Sequence, residues 1–156
     1  VDERALRSFL RGAVEGLGLR PPCTAEELCA ALGAARGRPV LLVPRADLPV
    51  RGGFGCLVRY PDRDLIVLQQ RSTAAGRAWI VFHELTHLLR DHTSVGAASW
   101  CGGVGGSAPY DGWQEWEAET GAAVLSEWAT APPRPPPAGP VERAVARGFG
   151  ATRGPG

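Results

Sequence analysis

His83-Glu84-Leu85-Thr86-His87 lies inside the apolar run Trp79-Ile80-Val81-Phe82-His83-Glu84-Leu85-Thr86-His87-Leu88-Leu89-Arg90, and that run reads as a helix. At about 3.6 residues per turn, His83 and His87 stack on one face, so their imidazoles can share one metal ion. Glu84 lies beside them, where a carboxylate can take a proton from a water that the metal activates. The chain has only 3 histidines, so two of them at this spacing inside a helical pattern are a specific signal of metal chemistry.

A zinc site needs a third protein ligand, and a catalytic one keeps a further position for water. Asp91 and His92 follow His87 closely. The extended pattern with Gly and then His beyond the second histidine fails, because Arg90 and Thr93 occupy those places. Residues 111–128 supply better candidates. Trp116, Ala118, Ala122, Ala123, Leu125 and Trp128 recur near helical spacing there and predict a second helix. Glu115 and Glu119 form an i, i+4 pair on one face of it, whereas Glu117 points elsewhere. One carboxylate of the pair can bind zinc while the other accepts the free ring N–H of a ligand histidine. Glu115 is thus the expected third ligand and Glu119 the expected partner of a ligand histidine.

The histidine helix followed by Glu115-Trp116-Glu117-Ala118-Glu119-Thr120-Gly121-Ala122 resembles the ImmA/IrrE family of gluzincin-type metallopeptidases. The resemblance spans roughly residues 20–130 and extends more weakly to a hairpin upstream of the histidine helix. It implies one Zn2+ held by His83, His87 and Glu115, with Glu84 as the catalytic general base. It also implies a protein or peptide substrate, with a repressor-type transcription regulator as the family's example. Two positions depart from the family pattern: Glu119 stands where Asn or Asp is common, and Gly121 where a larger apolar residue often stands.

Composition excludes several other classes. A formal net charge of +1 gives no electrostatic case for binding nucleic acid or an anionic membrane. All 17 basic residues are Arg, and Lys, Asn and Met are absent, which reads as codon bias from a GC-rich bacterial genome. The charged N-terminus lacks the apolar stretch of a signal peptide, and no run approaches the length needed to span a bilayer. A cytoplasmic address is the default expectation. Free thiols are then expected for Cys23, Cys29, Cys56 and Cys101, which lack C-x-x-C spacing. Cys56 and Cys101 are the two that could cap the zinc or sense oxidant beside it.

The order of elements predicts an α+β, zincin-like metallopeptidase domain over residues 1–130, with a small, mostly antiparallel sheet packed on helices. Residues 2–17 carry Leu6, Phe9, Leu10, Val14 and Leu17 at helical spacing. Thr24-Ala-Glu-Glu27 is a capping-box pattern for a helix ending near Gly33. Residues 40–43 read as a strand stopped by Pro44, and residues 54–60 and 65–69 as a hairpin whose edge could take an extended substrate. The histidine helix starts near Thr73 or Ala74. The glycine-rich residues 101–109 match no phosphate-loop pattern and read as a flexible loop, and residues 131–156 as a Pro/Gly-rich tail.

These patterns lead first to a zinc endopeptidase acting on a regulatory protein, with Tyr110 and His92 both open as the donor to the oxyanion. A second possibility is a zinc-stabilised module, weakly active or inactive, that regulates a partner by binding it; the intact Glu84 weighs against this. A DNA-binding regulator would need a basic face or a recognition helix, and neither is apparent.

Overall fold

The computed structural model describes residues 2–48, 55–93, 99–101 and 110–133, the short segment 99–101 as backbone only. Four helices and a four-stranded sheet follow in the order α1 (Glu3–Gly16), α2 (Ala25–Arg36), β1 (Val40–Arg45), β2 (Gly55–Arg59), β3 (Asp64–Gln69), α3 (Ala74–Leu89), β4 (Ser99–Cys101) and α4 (Gly112–Ala129). This is an α+β arrangement. No described helix is long and apolar enough to cross a membrane.

Local chemistry accounts for most element boundaries. The Asp2 carboxylate accepts the Arg4 N–H at the start of α1, and Leu6, Leu10 and Val14 bury the face that packs on α4. Each such aliphatic side chain contributes about 1.5–3 kcal/mol when it leaves water. Thr24 and Glu27 complete the expected capping box of α2. That helix runs one turn past the expected stop, to Gly37, whose φ of +69° favours glycine. Gly33 instead serves packing, since a Cβ there would stand 3.0 Å from the Val40 backbone nitrogen. Thr73 caps α3, as expected, by accepting the Gly76 N–H.

The sheet order is β1-β3-β2-β4. β1 pairs parallel with β3, while β2 pairs antiparallel with both β3 and β4, so antiparallel pairings predominate. Two expectations are corrected. Pro44 does not stop β1, which continues to Arg45. Pro39 O and Arg45 O both accept hydrogen bonds from the β3 side, so the alternating ladder turns position 44 away from β3, where a missing N–H is tolerated. The hairpin offers no free edge either, because β3 lies between β1 and β2 and β4 covers the far side of β2. Among the described strands the edges are β1 and β4.

The core lies between the sheet and the helices, and α3 and α4 share the most extensive helix–helix interface. Trp116, one of the residues whose spacing predicts α4, is 41% exposed. The buried stripe runs through the expected Ala118, Ala122, Leu125 and Trp128 and also takes in Glu117, Gly121 and Val124. Gly121 permits the close crossing of the two helices: a Cβ there would lie 2.8 Å from Thr86 Cβ and closer still to its Oγ1 and Cγ2. This crowding explains why the position departs from the larger residue that the family resemblance leads one to expect. Asp64, fully buried, accepts two hydrogen bonds from Arg38, at 2.8 and 3.0 Å, which anchors the start of β3 to the chain entering β1. Residues 134–156 of the expected tail, and 102–109 of the glycine-rich loop, lie outside the described residues.

The crossing generates a prediction in which two effects oppose one another. Gly121→Ala gains about 1 kcal/mol of helix propensity but forces overlap with Thr86, which costs about 1–3 kcal/mol. We expect net destabilisation in chemical denaturation, relieved only in part in the double variant Gly121→Ala/Thr86→Ala, which removes Oγ1 and Cγ2 but keeps the Cβ 2.8 Å away. A single variant more stable than the parent would contradict the close crossing.

Candidate metal centre

The apolar pattern that buries α3 against the sheet and α4 leaves His83 and His87 one turn apart, facing the start of α4. His83, His87 and Glu115 offer ligand atoms that all lie within 4.8 Å of one another. His83 Nε2 is 3.2 Å from His87 Nε2 and 3.4 Å from Glu115 Oε2. Tetrahedral bonds of about 2.0–2.1 Å separate neighbouring ligand atoms by about 3.3 Å, so these two spacings suit one small divalent ion. Glu115 Oε1 is buried with no hydrogen-bond partner among the described residues, an orphaned acceptor that a cation would satisfy. The three residues can therefore hold a metal ion. His87 is fully buried, whereas the His83 and Glu115 side chains keep 13% and 21% of their surface exposed, so access to the cluster is on their side.

Glu84 is fully buried and set against β2. Its Oε1 lies so near Gly55 that any Cβ at that position would overlap it, and a Cβ would also approach Ile80 Cγ2 to 2.6 Å. Gly55 is thus needed for Glu84 to occupy its place. The Glu84 charge acts on its neighbour His83.

The two histidines differ electrostatically. Burial pulls His83 down, but the Glu115 hydrogen bond and the charges of Glu84, Glu115 and Glu119 outweigh it and leave its pKa above 6.5. His87 is pushed down to about 2 by burial and then by His83, His92 and Arg59, which keeps it neutral and its lone pair available.

Behind His87 the arrangement differs from the expected one. Glu119 is exposed on α4 and makes no hydrogen bond to a histidine among the described residues; it acts on His83 through its charge alone. The His87 ring instead meets His92, with their Nδ1 atoms 2.9 Å apart, and His92 Nε2 lies 2.8 Å from Glu117 Oε2. Arg90 donates to both Glu117 oxygens, at 2.9 and 3.1 Å. Burial pushes the Glu117 carboxyl up, but the hydrogen bonds from Arg90 and His92 outweigh it and hold it below the ordinary 4.5. Glu117 does point away from Glu115 and Glu119, yet inward, to a role that spacing did not reveal. A signal was available: Glu117 stands one turn before Gly121 and two before Val124 on the buried stripe of α4, and a carboxylate there needs a partner.

His92 owes its place to the way α3 ends. Asp91 takes a left-handed conformation at φ +53°, the His92 N–H donates to His87 O at 3.0 Å, and the Asp91 N–H donates to Leu88 O at 3.3 Å. This is the Schellman pattern, which brings the residue after the turn back over the last helical turn. Arg59 supports it from β2, donating to Asp91 Oδ1 at 2.8 Å and to His87 O at 3.2 Å. Tyr110 stacks on the His87 ring at a centroid distance of 3.7 Å, and Trp113 and His92 make a T-shaped contact at 5.4 Å. Of the two oxyanion candidates, His92 has both ring nitrogens engaged, one with His87 and one with Glu117.

Cys56 is buried next to Gly55, and burial, with the Glu84 charge, pushes its thiol up to about 12. Burial does the same to Cys29, also to about 12. The side chain of Cys101 lies outside the described residues. A thiol with so high a pKa is almost wholly protonated near neutral pH and a poor nucleophile. We expect Cys29 and Cys56 to resist alkylation at pH 8 in the native protein and to react fully in denaturant, as read by peptide mass mapping. Rapid native labelling of Cys56 would contradict its burial and revive it as an oxidant sensor.

Comparison with protein-family models, curated proteins and solved structures finds no match to this chain, so the arrangement of its own residues carries the functional argument.

Proposed function

We propose that the chain is a zinc-dependent endopeptidase of the ImmA/IrrE type with a zincin-like fold, cutting a peptide bond in a regulatory protein such as a repressor-type transcription regulator. The observation that carries this reading is the convergence of the one-turn pair His83 and His87 with Glu115 from a separate helix, beside a buried carboxylate on the residue next to a ligand. Two imidazoles and one carboxylate are the donor set of catalytic rather than structural zinc, which favours four protein ligands. A zinc ion there would act as a Lewis acid on the scissile carbonyl and lower the pKa of water toward about 7.

The chain's own groups do the rest. Glu84 takes a proton from the attacking water and returns it to the leaving amine. Its seat against Gly55 fixes the carboxylate in one place, which is what proton transfer at a stated atom requires. The exposed edges of His83 and Glu115 define the side from which a substrate enters. With β4 on the outer side of β2, an extended substrate segment would pair with the outer edge of β4, an edge among the described strands, rather than with the hairpin.

Glu84→Gln tests this function against the binding-module alternative. Proton transfer by a positioned group contributes about 10²–10⁴-fold. We expect the zinc-loaded parent to cleave members of a fluorogenic peptide library and the variant to lose at least about 100-fold in kcat/KM while keeping its zinc. Equal cleavage by both proteins would remove Glu84 from the mechanism. A zinc-loaded parent that cleaves nothing, yet binds a partner with or without Glu84, would establish the binding module instead.

A further inference from the structure

We propose that His92 and Glu117 are positioning residues for the metal centre: with Arg90 as anchor, they form a relay that locks His87 in the tautomer whose Nε2 lone pair faces His83 and Glu115. The inference rests on the metal-centre reading above and assigns the residues that make one of its ligands competent.

The assignment of protons follows from the contacts. An ionised carboxylate can only accept hydrogen bonds, and Glu117 already receives two from Arg90. His92 Nε2, 2.8 Å from Glu117 Oε2, must therefore be the N–H that donates to it. A neutral imidazole with its proton on Nε2 presents a lone pair at Nδ1. His92, donating from Nε2, thus offers Nδ1 as an acceptor. Its Nδ1 lies 2.9 Å from His87 Nδ1, so His87 must donate there. With its proton on Nδ1, His87 presents at Nε2 the lone pair that a metal ligand needs, 3.2 Å from His83 Nε2 and inside the ligand cluster.

In most protein metal sites a carboxylate or carbonyl takes the free N–H of a ligand histidine directly. Here the carboxylate acts at one remove, through a second imidazole. The fold supplies the reason. The turn at Asp91 places His92 over His87, and Glu117 lies on the buried stripe of α4, where it can reach His92. Tyr110 stacked on His87 leaves that ring little freedom to turn. The relay thus spans the end of α3 and the beginning of α4, and it holds ring orientation and tautomer together.

The test uses the full chain, with zinc as the probe. His92→Leu removes both hydrogen bonds of the relay, whereas His92→Gln can accept from His87 through its amide oxygen and donate to Glu117 through its amide nitrogen. Zinc affinity is measured by competition with a chromophoric chelator, alongside the thermal midpoint of each metal-free protein. Losing such an outer partner typically weakens metal binding about 10–100-fold. We expect that loss for His92→Leu and recovery of most of it in His92→Gln. Leu binding zinc within about twofold of the parent, or Gln no better than Leu, would overturn the relay. A readout that needs no variant is the long-range 1H–15N spectrum of the zinc-loaded parent. It should show His92 protonated on Nε2 alone and His87 on Nδ1 alone; a His92 proton on Nδ1 would overturn the relay even if His92→Leu did not fold. Failure of the parent itself to bind zinc would contradict the metal centre, and the relay with it, and is distinguished by the parent titration.

Discussion

The close crossing of α3 and α4 at Thr86 and Gly121 sets everything else in place. Because Gly121 has no side chain, the two helices approach until Thr86 meets the α4 backbone, with the Thr86 hydroxyl donating to Phe82 O rather than remaining unpaired. From that point of contact, α3 carries His83 and His87 toward the first turn of α4, and the end of α3 carries Arg90 and His92 toward Glu117. The ligand cluster and the network behind it are two consequences of one packing contact. A larger residue at position 121 would separate both.

Polar groups are concentrated in an interior that is otherwise apolar. Glu84, His87, His92 and Glu117 are all buried, and an unpaired carboxylate there would cost several kcal/mol. Glu117 avoids that cost through hydrogen bonds from Arg90 and His92. Glu115 is different: one of its oxygens is buried and orphaned among the described residues, beside two imidazoles. A fully satisfied network next to an unsatisfied oxygen separates scaffold from site, because structural groups find partners within the chain and a ligand's partner comes from outside. Burial holds the His87 pKa low, and the neighbouring carboxylates raise that of His83, which fits a division between a sealed candidate ligand and a more exposed one.

Much of this was legible in the sequence, and the omissions have a common cause. The four helices announced themselves by periodicity and caps, as at Thr24, Glu27 and Thr73, because those signals act within a few residues. The shared face of His83 and His87 was legible for a similar reason, helical spacing alone, whereas the approach of Glu115 to them is set by how α4 packs on α3. What spacing could not reveal was how α4 is rotated about its axis. Glu115 and Glu119 share a face, but so do Glu117, Gly121 and Val124, and only contact with Thr86 and Arg90 decides which stripe is inward. The same limit explains the exposure of Trp116, despite its size, and the unforeseen partnership of His92 with His87. β4 and the passage of β1 through Pro44 depend on strand neighbours remote in sequence, to which local propensity is blind.

The most direct test of the metal centre is zinc K-edge X-ray absorption of the protein loaded with one equivalent of zinc. A site built from His83, His87 and Glu115 predicts two imidazole nitrogens near about 2.0–2.1 Å and oxygen ligands near about 2.0–2.2 Å, with no sulfur in the first coordination sphere. Sulfur scattering near about 2.3 Å, or zinc with only water around it, would contradict the account.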